Sequence, residues 1–490
     1  MDKELADGVW KKKLIRHVGT AKSDLDLAVL MQKAKEMLFQ LERPGQLDLE
    51  FGDIRNRSGL RVTGEYHEAA DLILGHFFDR LHIKGPNLPL LRLLVIARIL
   101  LPQSKMRTAR FLKRSFGASV ELDQIYRFMD TLAKDQDSVL SSIRSYLTEA
   151  YPGSFELLLY DVTTLYFETD SEDEDVGDLP GLRKRGYSKD KREDQPQVVL
   201  GLGVNSLGMP LTYRLYPGNT YEGSTLVDGI DETLKTLDER SLTVVGDAGM
   251  LSDKNLSSLE ERGLFYIVGA RLKSLPKPLQ DQITSLDFTR ATVQEIFHKN
   301  RRIIISYSET RAKRARSQRE RSVTRLEGLI RKNQAIRKHQ YLDFTIREKP
   351  SIDFDAVAAA SKWDGIKGYV TNSPDLSPDE VISHYGELYR VEQSFRMSKT
   401  DLRIRPAFHY RQRRIEAHVV ICMLALCVMR MLECHVKPLG MTVKAALEEI
   451  NSTKAAYARL GKQHFIIPPD YGPQVQEIIA TLNLSDRETN

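Results

Sequence analysis

The spacing of apolar residues predicts a helical region in the first third of the chain. From about 65 to 150 the apolar positions recur at helical spacing throughout. Residues 90–101 are predicted to form a core helix that Pro102 stops, and Ser104 caps the helix that follows. A more polar helix is predicted at 23–41. The chain before the first strand is therefore expected to be all helical.

At Phe155 the pattern changes to short apolar runs separated by turn residues, which is typical of strands. The predicted order is β-β-β-α-β-α-β, with strands at 155–168, 198–205, 209–219, 242–247 and 264–271 and helices at 224–237 and 252–262. A meander of three strands, followed by strands that return through helices, fits the ribonuclease H-like fold, an α/β class with a mixed sheet. In that fold the first and fourth strands are neighbours.

About 110 residues separate the fifth strand from the next strongly periodic helix, at 385–399. Since a loop of this length is improbable, this stretch, which mixes strand-like runs with a basic helix, is predicted to form a folded insertion subdomain that interrupts the core. An apolar helix at 415–434 follows, and its most apolar part is too short to span a bilayer, which indicates a buried helix. The predicted domains are an N-terminal segment with one helix (1–50), a helical DNA-binding domain (51–152), the two parts of the core (153–271 and 376–440), the insertion (272–375) and a C-terminal helical tail (441–490).

Two of the predicted strands end in an aspartate, and the helix at 385–399 carries a glutamate. The apolar runs of the first and fourth strands end in Asp161 and Asp247, and Glu392 lies on the helix. Carboxylate oxygens suit Mg²⁺, and two such ions about 3.5–4 Å apart activate an attacking oxygen and stabilise a leaving one in phosphodiester chemistry. A lone aspartate after a strand is more often a turn former, so the prediction depends on the three carboxylates meeting. We predict that they are the catalytic metal ligands.

The same helix carries aromatic and basic side chains in phase with Glu392. At 100° per residue, Tyr385 and Lys399 each fall roughly 20° short of two full turns from Glu392, and Tyr389 and Arg396 fall within about 60°. Basic groups on this stripe would hold DNA phosphates, and the tyrosines would stack on bases or pack against the sugar backbone. The competing interpretation is a weak surface ion pair between Glu392 and Arg396.

Basic charge is concentrated locally, although the whole chain is nearly balanced. The 490 residues carry a net charge of +5, whereas 301–340 holds 13 Lys and Arg against 3 Glu. This stretch, with Arg314 and Arg316, is predicted to contact DNA phosphates, and the alternative is a solvated basic helix. Lys189, in the basic loop after the first strand, is a second candidate contact. The two helices after Ser104 are either a DNA-reading pair or part of an ordinary bundle.

The cysteines and the first residues predict a cytoplasmic protein. Cys422, Cys427 and Cys434 lie in one apolar run without metal-ligand spacing, which indicates reduced, buried thiols. The first residues contain no apolar segment of the kind that directs secretion.

The motif Y-x2-L-x3-E-x6-K at 385–399, with RIRPAFH at 403–409, resembles the signature of insertion-sequence DDE transposases. The match is to the insertion-sequence-four group, which has Tyr, Arg, Glu and Lys in that motif. The family's other blocks resemble segments 160–168, 186–211, 216–225, 244–256 and 368–372. Leu388 departs from the pattern, because the group has an arginine at that position.

The resemblance implies a transposase that binds the terminal inverted repeats of its own element and works as a homodimer on paired ends. It implies two Mg²⁺ ions, for which Mn²⁺ can substitute, held by Asp161, Asp247 and Glu392. It also implies hydrolysis at the 3′ ends and attack of the freed 3′-OH on target DNA. The long stretch between Asp247 and Glu392 matches the family's β-rich insertion. The resemblance also implies a bacterial or archaeal protein that is associated with the nucleoid.

Two other functions remain open, both with double-stranded DNA as the partner and neither at a membrane. A structure-directed nuclease of the same fold would cleave without joining, although it has no need of the insertion or of the long N-terminal region. A DNA-binding repressor derived from a transposase would bind without cutting, although it has no need of three intact carboxylates.

Overall fold

The computed structural model describes residues 2–6, 9–13, 18, 30, 60–154, 156–175, 180–187, 194–234, 242–250, 252–332, 334, 337–345, 350–405, 409–460 and 463–484. The chain divides into two compact units, Met1–Thr63 with Ala458–Phe465, and Gly64–Tyr457 with Ile466–Asn490. All but one residue of the helix predicted at 23–41, and Lys189, lie outside the described residues.

The described chain has a run of five helices at 68–150, a mixture of strands and helices at 157–371, and a second run of helices at 378–452. The helices are α1 (Glu68–Arg80), α2 (Leu88–Leu100), α3 (Lys105–Phe116), α4 (Leu122–Leu132), α5 (Gln136–Ala150), α6 (Thr225–Leu234), α7 (Asp253–Glu261), α8 (Lys277–Thr284), α9 (Glu309–Arg331), α10 (Phe354–Ser361), α11 (Pro378–Gly386), α12 (Tyr389–Arg396), α13 (Gln412–Val436), α14 (Val443–Ser452) and α15 (Pro473–Thr481). The strands are β1 (Asp2–Ala6), β2 (Val9–Lys13), β3 (Leu60–Tyr66), β4 (Leu157–Tyr166), β5 (Gln197–Val204), β6 (Pro210–Pro217), β7 (Thr243–Gly246), β8 (Phe265–Gly269), β9 (Val293–His298), β10 (Arg301–Tyr307), β11 (Leu342–Asp343), β12 (Ser351–Ile352), β13 (Ile366–Thr371), β14 (Ala455–Leu460) and β15 (Gln463–Ile467).

The expectation of an all-helical N-terminal region is wrong for the start of the chain. In the first unit, β1 and β2 pair antiparallel, with Ala6 opposite Val9. The two residues between these strands are Asp-Gly in the sequence, the dipeptide that two-residue hairpin loops favour. This dipeptide is the signal from which the hairpin could have been predicted.

The helices from α1 to α5 confirm the helical prediction for 68–150. Ser104 caps α3 as predicted, its side chain accepting the N–H of Arg107, and Gly117 ends the helix in the left-handed conformation. These helices pack around α13, whose residues are buried almost throughout. By length and composition α13 could cross a membrane, but most of it is buried inside the protein. The prediction of a buried helix is confirmed, although the helix is longer than predicted, and Cys434 near its end is only partly buried.

An eight-stranded mixed sheet forms the centre of the second unit, in the order β6-β5-β4-β7-β8-β13-β10-β9. The first three strands pair antiparallel as a meander, and β4, β7 and β8 pair parallel. The remaining strands pair antiparallel, beginning with β13 against β8. The predicted α/β class with a mixed sheet is confirmed, and β4 and β7 are neighbours.

The stretch 272–375 differs from the β-rich insertion that was predicted. Three of its strands, β9, β10 and β13, extend the central sheet. Helices, above all the 23-residue α9, account for more of it than strands do. A small separate core of Leu326, Tyr341 and Leu342 joins the end of α9 to its neighbours. The isoleucine-rich β10 lies inside the sheet because it is apolar on both faces, whereas the basic helix stays at the surface.

Candidate active site

The strand register brings Asp161 and Asp247 side by side. Leu159 of β4 lies opposite Val245 of β7 in the parallel pair. Continuing this register by two residues sets Asp161 opposite Asp247, directly after the end of β7. The apolar run 157–160 leads to Asp161, but the strand does not end there, because β4 continues to Tyr166, within the predicted strand 155–168. The shorter β7 ends beside Asp161, which leaves both carboxylates only partly buried.

Each aspartate is oriented by a nearby backbone amide. The Asp161 Oδ1 accepts the N–H of Val162 at 2.7 Å, and the Asp247 Oδ1 accepts the N–H of Gly249 at 2.7 Å. A Cβ on Gly249 would lie 2.9 Å from that same Oδ1. The glycine therefore permits the tight turn that fixes the Asp247 carboxylate.

Tyr385, at the end of α11, lies against the row of residues that begins with the two aspartates. The registers of β8 with β7 and with β13 carry that row on through Gly269 to Tyr369. Because Gly269 has no side chain, the Tyr385 hydroxyl occupies the space above it, 2.7 Å from where a Cβ would be. The Tyr385 and Tyr369 rings meet edge to face at 4.9 Å. The hydroxyl is thereby held beside Asp247.

Burial raises the pKa of Tyr385 to about 12, and the negative charges of Asp247, Tyr369 and Glu392 act in the same direction. One hydroxyl therefore lies within electrostatic reach of two of the three predicted carboxylates. The Tyr385 hydroxyl is therefore influenced by the charge of one strand carboxylate, Asp247, and by that of the helix carboxylate, Glu392.

Glu392 is exposed on α12, which packs on β4 and β5 through its buried face. Val391 and Phe395 are buried, and the Ser394 hydroxyl donates to the Gly208 carbonyl at 2.8 Å. The buried Arg430 of α13 donates to the same serine hydroxyl at 2.7 Å. These contacts position the helix on the sheet while Glu392 stays on its open side.

The predicted single helix from 385 to 399 is wrong, because the chain is broken into three segments there. Tyr385 belongs to α11, Tyr389 begins α12, and Met397–Asp401 form a π-helical turn that contains Lys399. The Leu402 N–H donates to the Met397 carbonyl at 2.9 Å, five residues back. A constant 100° per residue therefore does not hold across the stretch. Such π turns are frequent at functional sites.

The basic residues of this stretch do not form the ion pair of the competing interpretation. Among the described residues, Glu392 and Arg396 make no salt bridge or hydrogen bond with each other, and both side chains are exposed. Lys399 is half-buried, with its Nζ 5.8 Å from the centre of the Phe395 ring. Tyr389 is exposed beside the Arg390 guanidinium, 5.2 Å from the ring centre.

Leu388, where the motif has arginine, is buried at 7% exposure between α11 and α12. Arg390 is ion-paired with Glu387 instead. The apolar side chain of Leu388 therefore packs in the core where α11 meets α12.

Introducing the motif arginine, Leu388→Arg, is expected to destabilise the protein by about 2 kcal/mol or more, because a charge would enter an apolar contact. Urea unfolding followed by circular dichroism measures this. The volume-conserving Leu388→Met is the control and should cost less than about 1.5 kcal/mol. A Leu388→Arg variant with wild-type stability and faster DNA cleavage would contradict the expectation.

No group of three or more acidic, histidine or cysteine side chains is arranged to hold a metal ion within the described residues. The two aspartates meet through the strand register, whereas Glu392 is linked to them through Tyr385. The roles of the three carboxylates stay predictions.

The predicted DNA contacts Arg314 and Arg316 are exposed on the surface, whereas Lys189 cannot be placed. Arg314 and Arg316 are exposed on α9, while its neighbour Arg319 is fixed to Asp364 by two hydrogen bonds of 2.6 and 2.7 Å. Lys189 lies outside the described residues. In the same loop, Lys184 pairs with Asp175 at 2.7 Å, so the acidic segment before it partly neutralises this basic stretch.

Sequence reasoning missed Gly269, Tyr369 and Lys367. The Lys367 Nζ lies over the Tyr385 ring at 4.5 Å and over the Tyr369 ring at 5.3 Å. Burial lowers the pKa of Lys367, and the charge of Arg311 adds to this. The available signal was the alternation in 366–371, which sets Lys367 and Tyr369 on one face of a strand.

The mixed α/β core carries Asp161 and Asp247 on neighbouring parallel strands, and the helix with Glu392 packs on the first of these strands, which is the arrangement predicted for a DDE-type domain. The model of the transposase DDE domain family matches residues 153–428, more than half of the chain, and the chain belongs to that family. It is a transposase of a family that cleaves and joins nucleic acid strands and generally depends on divalent metal.

No curated protein sequence matches the chain. Among solved structures, it is similar to the piggyBac transposase in a synaptic complex with hairpin DNA, at 9% identity, with 86% of this chain and 80% of that chain covered and a TM-score of 0.40. It is also similar to the Mos1 transposase in a paired-end complex with the left transposon end, at 12% identity, with 50% and 71% covered and a TM-score of 0.17. With scores this low, the family match alone defines the class of the chain.

Proposed function

We propose that the protein is an active transposase of the insertion-sequence-four group that binds the terminal inverted repeats of its element. It hydrolyses the 3′ ends of the element and transfers the freed 3′-OH to target DNA. The observation that carries the proposal is that the register of two adjacent strands sets Asp161 opposite Asp247. Tyr385 lies beside Asp247, and the charges of Asp247 and Glu392 both raise its pKa.

The catalytic core in this proposal is ribonuclease H-like. The support is the strand order β6-β5-β4-β7-β8, in which a three-stranded meander is followed by two parallel strands on its β4 side. The helices α6 and α7 connect these later strands in the order that the fold requires. The three strands β9, β10 and β13 then extend the sheet as the inserted part.

The donor set suits Mg²⁺, because Asp161, Asp247 and Glu392 offer only oxygen ligands. The carboxylates of Asp247 and Glu392 both raise the pKa of Tyr385, so a negative field exists where a divalent cation would be held. When bound, two ions supply activation of the attacking oxygen and stabilisation of the leaving one. The backbone N–H of Gly249 orients Asp247, and Tyr385, protonated at neutral pH, can donate a hydrogen bond to a DNA phosphate or a carboxylate.

The basic helix α9 is proposed to contact DNA phosphates. Its exposed residues Arg314 and Arg316 make no salt bridge among the described residues, so their charge is available to a polyanion. Tyr389, Arg396 and Lys399 are proposed to contact the DNA strand nearer the carboxylates. The remaining DNA contact of the sequence prediction, Lys189, belongs to the same proposal.

Changing Arg314→Gln and Arg316→Gln together is expected to lower the slope of log affinity against log salt by about one for each phosphate that α9 no longer binds. Fluorescence anisotropy with a labelled terminal repeat at several salt concentrations measures the slope. Arg290→Gln, an exposed arginine outside α9, is the matched control. An unchanged slope in the double variant would mean that Arg314 and Arg316 do not contact DNA phosphates and that α9 is a solvated basic helix.

The decisive experiment uses a labelled terminal repeat, a target plasmid and Mg²⁺. Joining of the label to the plasmid supports the transposase. Cleavage without joining favours the structure-directed nuclease, and a mobility shift without cleavage favours the repressor. Light scattering of the DNA-bound protein tests the proposed homodimer, and fractionation of host cells tests the proposed cytoplasmic, nucleoid-associated location.

A further inference from the structure

A cavity of about 400 Å³ lies beside the start of α3, and none of Asp161, Asp247 and Glu392 lines it. Basic side chains from three separate parts of the chain converge on it, and no Asp or Glu is among the described residues that line it. The cations that line it are Arg98, Lys105, Arg107, Arg403 and Arg405. A cavity with this lining attracts an anion.

Lys105 is the most unusual of these groups, because it is buried at 4% exposure. Its Nζ lies 3.3 Å from the His418 Nδ1, and the His418 Nε2 lies 3.3 Å from the Ile404 carbonyl oxygen. The carbonyl must accept from Nε2, so Nδ1 is free to accept from the lysine. Burial, with the charge of Arg98, lowers the pKa of Lys105 well below its ordinary value. The lysine therefore has a neutral partner where a buried ammonium normally has a carboxylate.

Arg98 on α2 is a second buried basic residue without a carboxylate partner among the described residues, and it is 6% exposed. Its guanidinium makes only long contacts, 3.5 Å to the Leu402 carbonyl and 3.4 Å to the Gln103 carbonyl. Neither Arg98 nor Lys105 has a salt bridge within the described part of the chain. Buried charge without a counter-charge is costly. A bound anion in the cavity would supply the missing counter-charge and lower the cost of burying Arg98 and Lys105.

Two further features favour an anion at this place. The cavity contains Ser104 at the N-terminus of the 12-residue α3, where backbone N–H groups and the helix dipole favour negative charge. Arg403, on the rim, is held in the left-handed conformation at φ 44°, which is strained for a residue with a side chain. Arg405 extends from the same loop over the ring of Tyr166, at the end of the strand that carries Asp161.

We propose that this cavity is a phosphate-binding site that takes a phosphate of a DNA strand. The DNA part of the proposal rests on the proposed function, whereas the phosphate part stands on the cavity alone. The phosphate supplies the counter-charge that Arg98 and Lys105 lack, and the remaining N–H groups of both side chains reach its oxygens. Since the lining joins the strand of Asp161 through Arg405 and Tyr166, a strand anchored here runs towards the carboxylates.

Thermal unfolding tests the phosphate part. Inorganic phosphate is expected to raise the melting temperature of the wild-type chain by about 2–4 °C over chloride at equal ionic strength. Lys105→Met should be more stable than wild type in chloride, since it removes a buried amine that has no carboxylate partner among the described residues, and should gain nothing from phosphate. Lys113→Met, an exposed lysine on the same helix, should keep the wild-type gain.

If Lys105→Met fails to fold, Arg403→Gln at the exposed rim of the cavity tests the same site. Arg110→Gln, at an exposed position on α3, is its control. Arg403→Gln should weaken phosphate binding at least about fivefold. A wild-type chain that gains no more from phosphate than from chloride would overturn the site.

Anisotropy with a short 5′-phosphorylated single strand tests the DNA part. At least about tenfold weaker binding by Lys105→Met or Arg403→Gln supports it. Unchanged DNA binding together with a lost phosphate response would mean a free-phosphate site and overturn the DNA part. Asp247→Asn should keep the phosphate response whether or not strand transfer occurs, so failure of the proposed function is distinguishable from failure of this site.

Discussion

Replacing Asp247 by asparagine is expected to abolish strand cleavage while leaving DNA binding intact. The asparagine Oδ1 can still accept the Gly249 N–H that Asp247 accepts at 2.7 Å, so the turn after β7 is preserved. The substitution, however, removes the negative charge that the proposed function assigns to metal binding. A bound ion contributes several kcal/mol to the transition state, and about 1.4 kcal/mol is tenfold in rate. We therefore expect the cleavage rate to fall by at least about 10³-fold, measured in single turnover on a labelled terminal repeat.

Asp281→Asn supplies the control, because Asp281 is an exposed residue of α8 in a surface ion pair with Lys277. It should cleave at the wild-type rate. Asp161→Asn should reproduce the loss, since Asp161 lies opposite Asp247 in the strand register. Cleavage by Asp247→Asn at more than about a tenth of the wild-type rate would mean that Asp247 is not one of the proposed metal ligands.

The sheet could be predicted because its strands are short apolar runs with clear turn residues between them. The run 198–205 and the strand β5, Gln197–Val204, nearly coincide, as do 209–219 and β6. Hydrophobic pattern alone does not state which strands pair across long connections. The sequence therefore did not reveal that β13 joins β8, about 100 residues later in the chain, and makes the inserted stretch part of the sheet.

The sequence predicts the residue types of the candidate site, but only part of the geometry that the structure gives those residues. The neighbouring aspartates follow from two apolar strands and one fold-level expectation. The break between α11 and α12 does not follow, because Glu387 and Leu388 both have helical backbone angles and differ from a regular helix mainly in their hydrogen bonds. The π turn at Met397–Asp401 is likewise a choice of hydrogen-bond partner that side-chain periodicity does not report.

Gly269 explains why the position of Tyr385 was missed. In sequence, a glycine at the end of an apolar run indicates only a turn. In the structure it is the gap in the row from Asp161 to Tyr369 that the Tyr385 hydroxyl occupies. Its importance depends on a residue more than 100 positions later in the chain, which no local pattern contains.

Filling that gap with Gly269→Ala is expected to lower the cleavage rate by about 10²-fold without unfolding the protein. The new Cβ would lie 2.7 Å from the Tyr385 hydroxyl oxygen and 3.3 Å from the Ala248 backbone nitrogen. Tyr385 must move to relieve this contact. Its ring, however, is held by the Tyr369 ring, whose centre lies 4.9 Å from its own, and by the Lys367 Nζ, 4.5 Å from its centre. A displacement of about 1 Å in a positioned group can cost about 10²-fold. Single-turnover cleavage measures the effect, and the melting temperature reports the fold.

Tyr385→Phe separates displacement of the hydroxyl from general damage to the sheet. It removes the atom that the new methyl group would meet, so Gly269→Ala should cost less than about threefold in the Tyr385→Phe background. Gly153→Ala, where an added Cβ would meet no atom within 4 Å, should leave the rate unchanged. Equal losses from Gly269→Ala in both backgrounds would mean that the glycine acts on the strand itself. The proposed link from Asp247 through Tyr385 to Glu392 would then have no support from this position.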